Sequence, residues 1–151
     1  MPRDNSITNV DQDALKDFLE LKGAVELLVV LSDGEVLYSE FENQVPVSRS
    51  TFHLRREKAV ELQLIDSGRR QSDDGFDTVY RLTSLGEVIT QKVREQGLVK
   101  LFWRLQELQQ QYDELREDVP EWVHETDVDF EELYSRNSRQ MGEWGADEDF
   151  Y

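Results

Sequence analysis

A chain of 151 residues can bury one domain-sized core, and its charge is lopsided, with 33 Asp and Glu against 17 Lys and Arg for a net −16. The absence of cysteine excludes disulfides, thiolate metal sites and thiol redox sensing, and no apolar run is long enough to span a bilayer. The N-terminus, MPRDNSITNV, lacks the charged-then-apolar pattern of a signal peptide, so the expectation is a cytoplasmic protein with no membrane partner.

That charge has the wrong sign for approaching phosphate. Carboxylates are spread along the whole chain, and 12 arginines stand against 5 lysines. One reading is a protein that repels nucleic acid. The other is a chain adapted to a salt-saturated cytoplasm, where carboxylates hold hydration, and the uniform spread favours it.

In chain order, residues 1–10 are polar and read as a flexible N-terminus. Asp11 caps a predicted helix in which Ala14, Leu15, Phe18 and Leu19 fall at helical spacing. A second apolar run, Ala24 to Leu31, reads as the central buried helix and stops at Asp33-Gly34. Gly23 either bends the chain between the two runs or sits inside one long helix. Glu35 to Leu37 predicts a short strand, and Tyr38 to Asn43 a short helix that turns Leu37 and Phe41 inward.

Val45-Pro46-Val47 then makes a turn, and Ser48 caps a helix with Phe52, Ala59, Leu62 and Ile65 at inward spacing. Leu64 to Ser67 and Thr78 to Leu82 are β-prone arms around Asp73-Asp74-Gly75, a hairpin signal. Ser84 with Glu87 three residues on reads as a capping box, opening a helix that runs to about Asp118 and stops before Pro120. Within it Leu98, Leu101, Leu105, Leu108, Tyr112 and Leu115 step by alternating threes and fours, a heptad seam that asks for a partner helix. Phe102 and Trp103 lie beside the seam and widen the expected contact.

The acidic segment after Pro120 carries scattered aromatics, with one more short helix expected from Asp129 to about Arg139. It reads as a solvated tail, as a segment folding back through Trp122, Phe130, Leu133 and Tyr134, or as a DNA mimic. The last residues, GEWGADEDFY, have no periodic pattern and are expected to be flexible.

Two short helices joined by a tight turn, then a hairpin and a long helix, resemble the winged helix-turn-helix regulators of the MarR, PadR and HxlR group, in a haloarchaeal type. The likeness is carried by VSRST at 47–51, AVELQLI at 59–65 and YRLTSLGE at 80–87, and spans roughly residues 14–95. It implies a mainly α fold with a small β-hairpin wing. The expected organisation is a DNA-binding domain over 11–83, a dimerisation helix over 84–118 and an acidic aromatic tail over 119–151. The resemblance further implies a sequence-specific transcription regulator that acts as a homodimer on double-stranded DNA. Two positions depart from such families: Gln63 stands where glycine is usual, and Arg56 where an apolar residue is usual, with Leu54 in the place of an arginine. The departures predict a rotated helix or a reshaped helix end.

From Ser48 to Arg70 the basic residues Arg49, Arg55, Arg56, Lys58, Arg69 and Arg70 outnumber Glu57, Glu61 and Asp66, a local +3 within a chain of −16. Arg49, Ser50, Thr51 and His53, behind the Ser48 cap, are expected at base edges in the major groove, although Thr51 reads equally as part of the cap. Arg55 and Arg56 are expected at bases or backbone, with Lys58 completing the basic helix. Arg69 and Arg70 suit phosphate or the minor groove, and the Asp73-Asp74 tip should stay off the DNA. Acidic groups beside DNA would take up cations on binding, which predicts a flat or reversed salt dependence.

Enzyme chemistry finds no foothold. His53 and His124 have no metal-ligand spacing, and no phosphate loop, nucleophile elbow or zinc motif occurs. The expectation is no catalysis and no cofactor; a small-molecule effector is left open. The alternative from another class is a winged-helix module that binds a basic protein partner or transcription component without DNA specificity.

Overall fold

A computed structural model describes residues 10–125 and 129–144. The Asp11 carboxylate accepts from the Ala14 N–H at 3.0 Å and starts α1 (Gln12–Leu19), which buries Leu15 and Phe18. α2 (Ala24–Val30) is a separate helix, begun at Gly23 with a φ of 91°. Its apolar residues cover most of its circumference, and α1 and the helices over 38–44, 49–61 and 84–95 all pack on it. β1 (Val36–Leu37) and α3 (Tyr38–Gln44) follow, with Phe41 fully buried.

Ser48 caps α4 (Arg49–Glu61) by accepting from the Thr51 N–H at 3.2 Å, and Phe52 and Ala59 anchor the helix to the core. β2 (Ile65–Ser72) and β3 (Gly75–Leu82) form the hairpin, and β1 joins to give an antiparallel sheet in the order β1-β3-β2. The register runs from Ile65 opposite Leu82 to Ser72 opposite Gly75. Ile65, expected on the inward face of the preceding helix, instead opens β2 and is buried there.

Gln63 does the work expected of glycine. Its φ is 65°, its N–H bonds the Val60 carbonyl at 3.0 Å, and the Leu64 N–H bonds the Ala59 carbonyl at 2.9 Å. This double closure ends the helix in a left-handed residue. A side chain there costs about 1–2 kcal/mol relative to a right-handed position. The helix end is therefore built in the usual way, with strain in place of substitution.

The cap of α5 (Ser84–Glu95) is Thr83, not Ser84. Thr83 is extended (φ −80°, ψ 179°), its Oγ1 accepts from the Gly86 N–H at 3.0 Å, and its carbonyl takes the first helical bond from Glu87. The expected continuous helix over 84–118 is broken as well. Gly97, at φ 78°, ends α5, and α6 (Leu98–Glu125) begins anew. α6 also passes through Pro120, where the sequence predicted a stop. The residues around Pro120 are exposed, so water can satisfy the carbonyl that proline leaves without a donor.

The described chain forms two compact units that divide between Glu107 and Leu108, inside α6. The first holds the core, to which α5 contributes Val93 and the start of α6 contributes Phe102. Phe102, expected at the partner contact, is instead buried there, edge-on to Trp103 with ring centroids 4.8 Å apart. In the second unit Asp129 caps α7 (Phe130–Trp144) by accepting from Glu131 and Glu132. Trp122 meets Phe130 edge-on at 5.4 Å. Residues 1–9 and 145–151, on which most of the expected loose ends fall, lie outside the described residues, while Gly142 to Trp144, expected to be flexible, close α7.

Candidate nucleic-acid interface

The face that α4 presents to solvent follows from its anchors. With Phe52 and Ala59 turned fully inward, 3.6-residue periodicity puts Ser50, Leu54, Glu57 and Glu61 outermost, and all four are exposed. Thr51, Arg55 and Lys58 flank that ridge on one side; Arg49, His53 and Arg56 flank it on the other. Of the residues expected to meet DNA on this helix, Ser50 alone stands on the ridge.

The flanking cations are held by their own chain. Arg49 pairs through Nε with Glu42 of α3 at 3.3 Å, and Lys58 with Glu61 at 3.0 Å. Arg55 Nε donates to the Lys22 carbonyl at 2.8 Å, tying α4 to the turn between α1 and α2. Arg56 turns back toward the sheet. It donates from Nη1 to the Tyr80 hydroxyl at 3.1 Å, and its guanidinium lies 5.8 Å from the rings of both Tyr38 and Tyr80. Its Nε is buried without a partner among the described residues. This aromatic seating explains why an arginine stands where an apolar residue was expected.

His53 is locked into the same cluster. Arg56 can only donate, so its Nη2, 3.3 Å from Nδ1, makes that nitrogen the acceptor. The Nε2–H then faces Glu42, 3.3 Å away. Glu42, its side chain 16% exposed, thus bridges Arg49 and His53 and joins α3 to the start of α4.

On the hairpin, neighbouring Arg69 and Arg70 point to opposite faces of β2. Arg69 lies 5.9 Å over the Phe76 ring, while Arg70 reaches Glu35 through both Nε and Nη2, at 3.1 and 3.0 Å. The two act separately. At the base of the hairpin Arg81 pairs with Asp66 at 3.0 Å.

Glu35 and Glu42 were missed from the sequence, since no spacing rule links Arg70 to a residue 35 positions away. Leu54 and Glu57 could have been found. A helical wheel drawn from Phe52 and Ala59 puts both on the opposite side, away from the charged flanks. Among the described residues no cluster of three acidic or histidine side chains could hold a metal ion, and no helix is long and apolar enough to cross a membrane.

No protein-family model and no curated protein matches the chain. Solved structures do. A protein of Porphyromonas gingivalis W83, described as a transcriptional regulator of the MarR family, matches with a TM-score of 0.50 and 16% identity over 66% of this chain and 97% of its own. The reduced form of the transcriptional regulator YodB from B. subtilis matches with a TM-score of 0.50 and 16% identity, over 57% of this chain and 84% of its own. At such identity the likeness concerns the fold alone. The chain has a winged-helix fold, mainly helical, with a three-stranded antiparallel wing sheet and the long helix α6 after it.

Proposed function

We propose that this protein is a sequence-specific DNA-binding transcription regulator that acts as a homodimer, with α4 in the major groove and the β2–β3 hairpin at the backbone or minor groove. The observation that carries the reading is a winged-helix fold whose α4 leaves its outer ridge open to solvent between two rows of cations. In this reading Arg49, Lys58, Arg69 and Arg70 contact phosphate, and Arg55 and Arg56 fix the helix in place.

Each phosphate-facing cation except Arg69 already carries an intramolecular carboxylate: Glu42 on Arg49, Glu61 on Lys58 and Glu35 on Arg70. DNA would displace those carboxylates, and they would take up cations from solution. Uptake opposes the release of counterions from DNA, so affinity depends weakly on salt. This suits the acid excess to a salt-rich cytoplasm. The test is fluorescence anisotropy with a pool of random-sequence duplexes across a range of KCl. Arg49→Ala and Arg70→Ala are each expected to weaken binding about tenfold. No binding by the native protein at any salt would overturn the reading in favour of a protein-binding module.

The dimer reading is supported by the exposed apolar row Leu98, Leu101, Leu105, Leu108, Tyr112 and Leu115, at 39–67% exposure. Light scattering in concentrated KCl is expected to give a dimer. Leu105→Glu combined with Leu108→Glu should give a monomer that binds DNA at least about a hundredfold more weakly, because the second half-site contact is lost. A monomeric native protein would exclude the dimer.

A further inference from the structure

We propose that Leu54 and Glu57, on the outer ridge of α4, are the base-reading residues of this protein, with Leu54 against a thymine methyl and Glu57 accepting from the amine of a neighbouring cytosine. The inference rests on α4 entering the major groove and names what it reads there.

Three observations converge on the pair. Leu54 and Glu57 stand at the middle of the ridge that Phe52 and Ala59 leave outermost, where a helix seated in a groove meets base edges. The basic side chains lie on the flanks and not on the ridge: Arg55 is held by the Lys22 carbonyl and Arg56 by Tyr80, while Arg49 and Lys58, paired at the surface with Glu42 and Glu61, are placed for phosphate. Arg55 and Arg56 in particular cannot reach forward without breaking bonds that hold α4 to its domain. Leu54, finally, is 60% exposed, and among the described residues Glu57 takes part in no ion pair.

The chemistry of the two side chains selects their targets. In the major groove the thymine C5-methyl is the one apolar group that a leucine can cover. A carboxylate offers acceptors only, so it suits a base edge that presents a donor without an acceptor beside it. Cytosine shows its N4 amine alone, whereas adenine sets the N7 acceptor next to its N6 amine and guanine shows two acceptors. Three residues of helix advance about 4.5 Å along the axis. That is close to the rise of about 3.4 Å per base pair, so Leu54 and Glu57 read adjacent pairs.

Glu57 also explains how an acidic protein discriminates. Its carboxylate weakens binding to any duplex and recovers the loss where cytosine donates to it, which makes it a device for specificity.

The experiment selects duplexes from a randomised pool in concentrated KCl with the full-length native protein, Leu54→Ala and Glu57→Gln. The native protein is expected to enrich a motif with thymine beside cytosine. Leu54→Ala should lose the thymine preference and bind the native motif about tenfold more weakly, and Glu57→Gln should admit other bases at the cytosine. Uracil in place of that thymine should weaken the native protein and leave Leu54→Ala unaffected. If native and variant proteins enrich one motif with equal affinity, Leu54 and Glu57 do not read bases, while sequence-specific DNA binding by the protein stands. If the native protein enriches no motif, the DNA-binding reading itself falls, and this inference with it.

Discussion

Gly86→Ala is expected to destabilise the protein by about 3 kcal/mol or more, although it adds a single carbon. A Cβ at Gly86 would collide with the backbone carbonyl oxygen of Leu64, far inside contact distance, and a backbone atom cannot swing aside. That carbonyl already accepts from the Thr83 N–H at 3.0 Å, and the Thr83 hydroxyl donates to the Gln63 carbonyl while capping α5. One joint thus holds the end of α4, the end of β3 and the start of α5. Pushing α5 away would break the cap and loosen the chain that leaves α4. Thermal unfolding at fixed KCl should show a fall in Tm of about 10–20 °C for a domain of this size. A variant that melts with the native protein would mean that α5 does not approach Leu64 this closely.

Phe52→Ala is expected to cost about 3–5 kcal/mol, a large fraction of the roughly 5–15 kcal/mol that stabilises a typical domain. Phe52 is fully buried, meets Phe41 edge-on at 4.9 Å and lies 6.2 Å from Tyr38. It is the main anchor of α4 on α3, because the only other fully buried residue within α4 is the small Ala59. Its loss should release α4 before the rest of the core. Denaturant titration is expected to show a lower midpoint, and hydrogen exchange to show lost protection first in residues 49–61. Phe52→Leu should restore about half of the loss, since it refills much of the cavity. Equal protection of α4 in Phe52→Ala and the native protein would place the anchor elsewhere.

The joint at Gly86 shows how far local signals carry. Thr83 and Ser84 are both good caps, and the sequence pattern favoured the pair Ser84 and Glu87. What chose Thr83 was the tertiary requirement that its hydroxyl reach Gln63, 20 residues earlier. Gly97 was a legible stop signal: the heptad seam begins at Leu98, just beyond it, and nothing in that spacing requires the preceding helix to run through. Gln63 ran the other way: a residue that looked like a departure adopted the left-handed turn that glycine would have made.

At the charge first met in the sequence, the division is plainest. The sequence by itself determined the element order from β1 to the hairpin, the Asp11 and Ser48 caps, the turn about Asp73-Asp74, and the inward Leu15 and Phe18 of α1 and Phe52 and Ala59 of α4. These depend on spacings within a few residues, where helix and strand periods act. It also determined the basic island. Only the tertiary structure decided that the island is engaged from within, since Arg55 finds the Lys22 carbonyl, Arg56 the Tyr80 hydroxyl and Arg70 the Glu35 carboxylate, 33, 24 and 35 residues away. A charged side chain is free or bound according to what the fold brings beside it. No local pattern carries that, whereas the outward placement of Leu54 and Glu57 follows from the helical period about Phe52 and Ala59 alone.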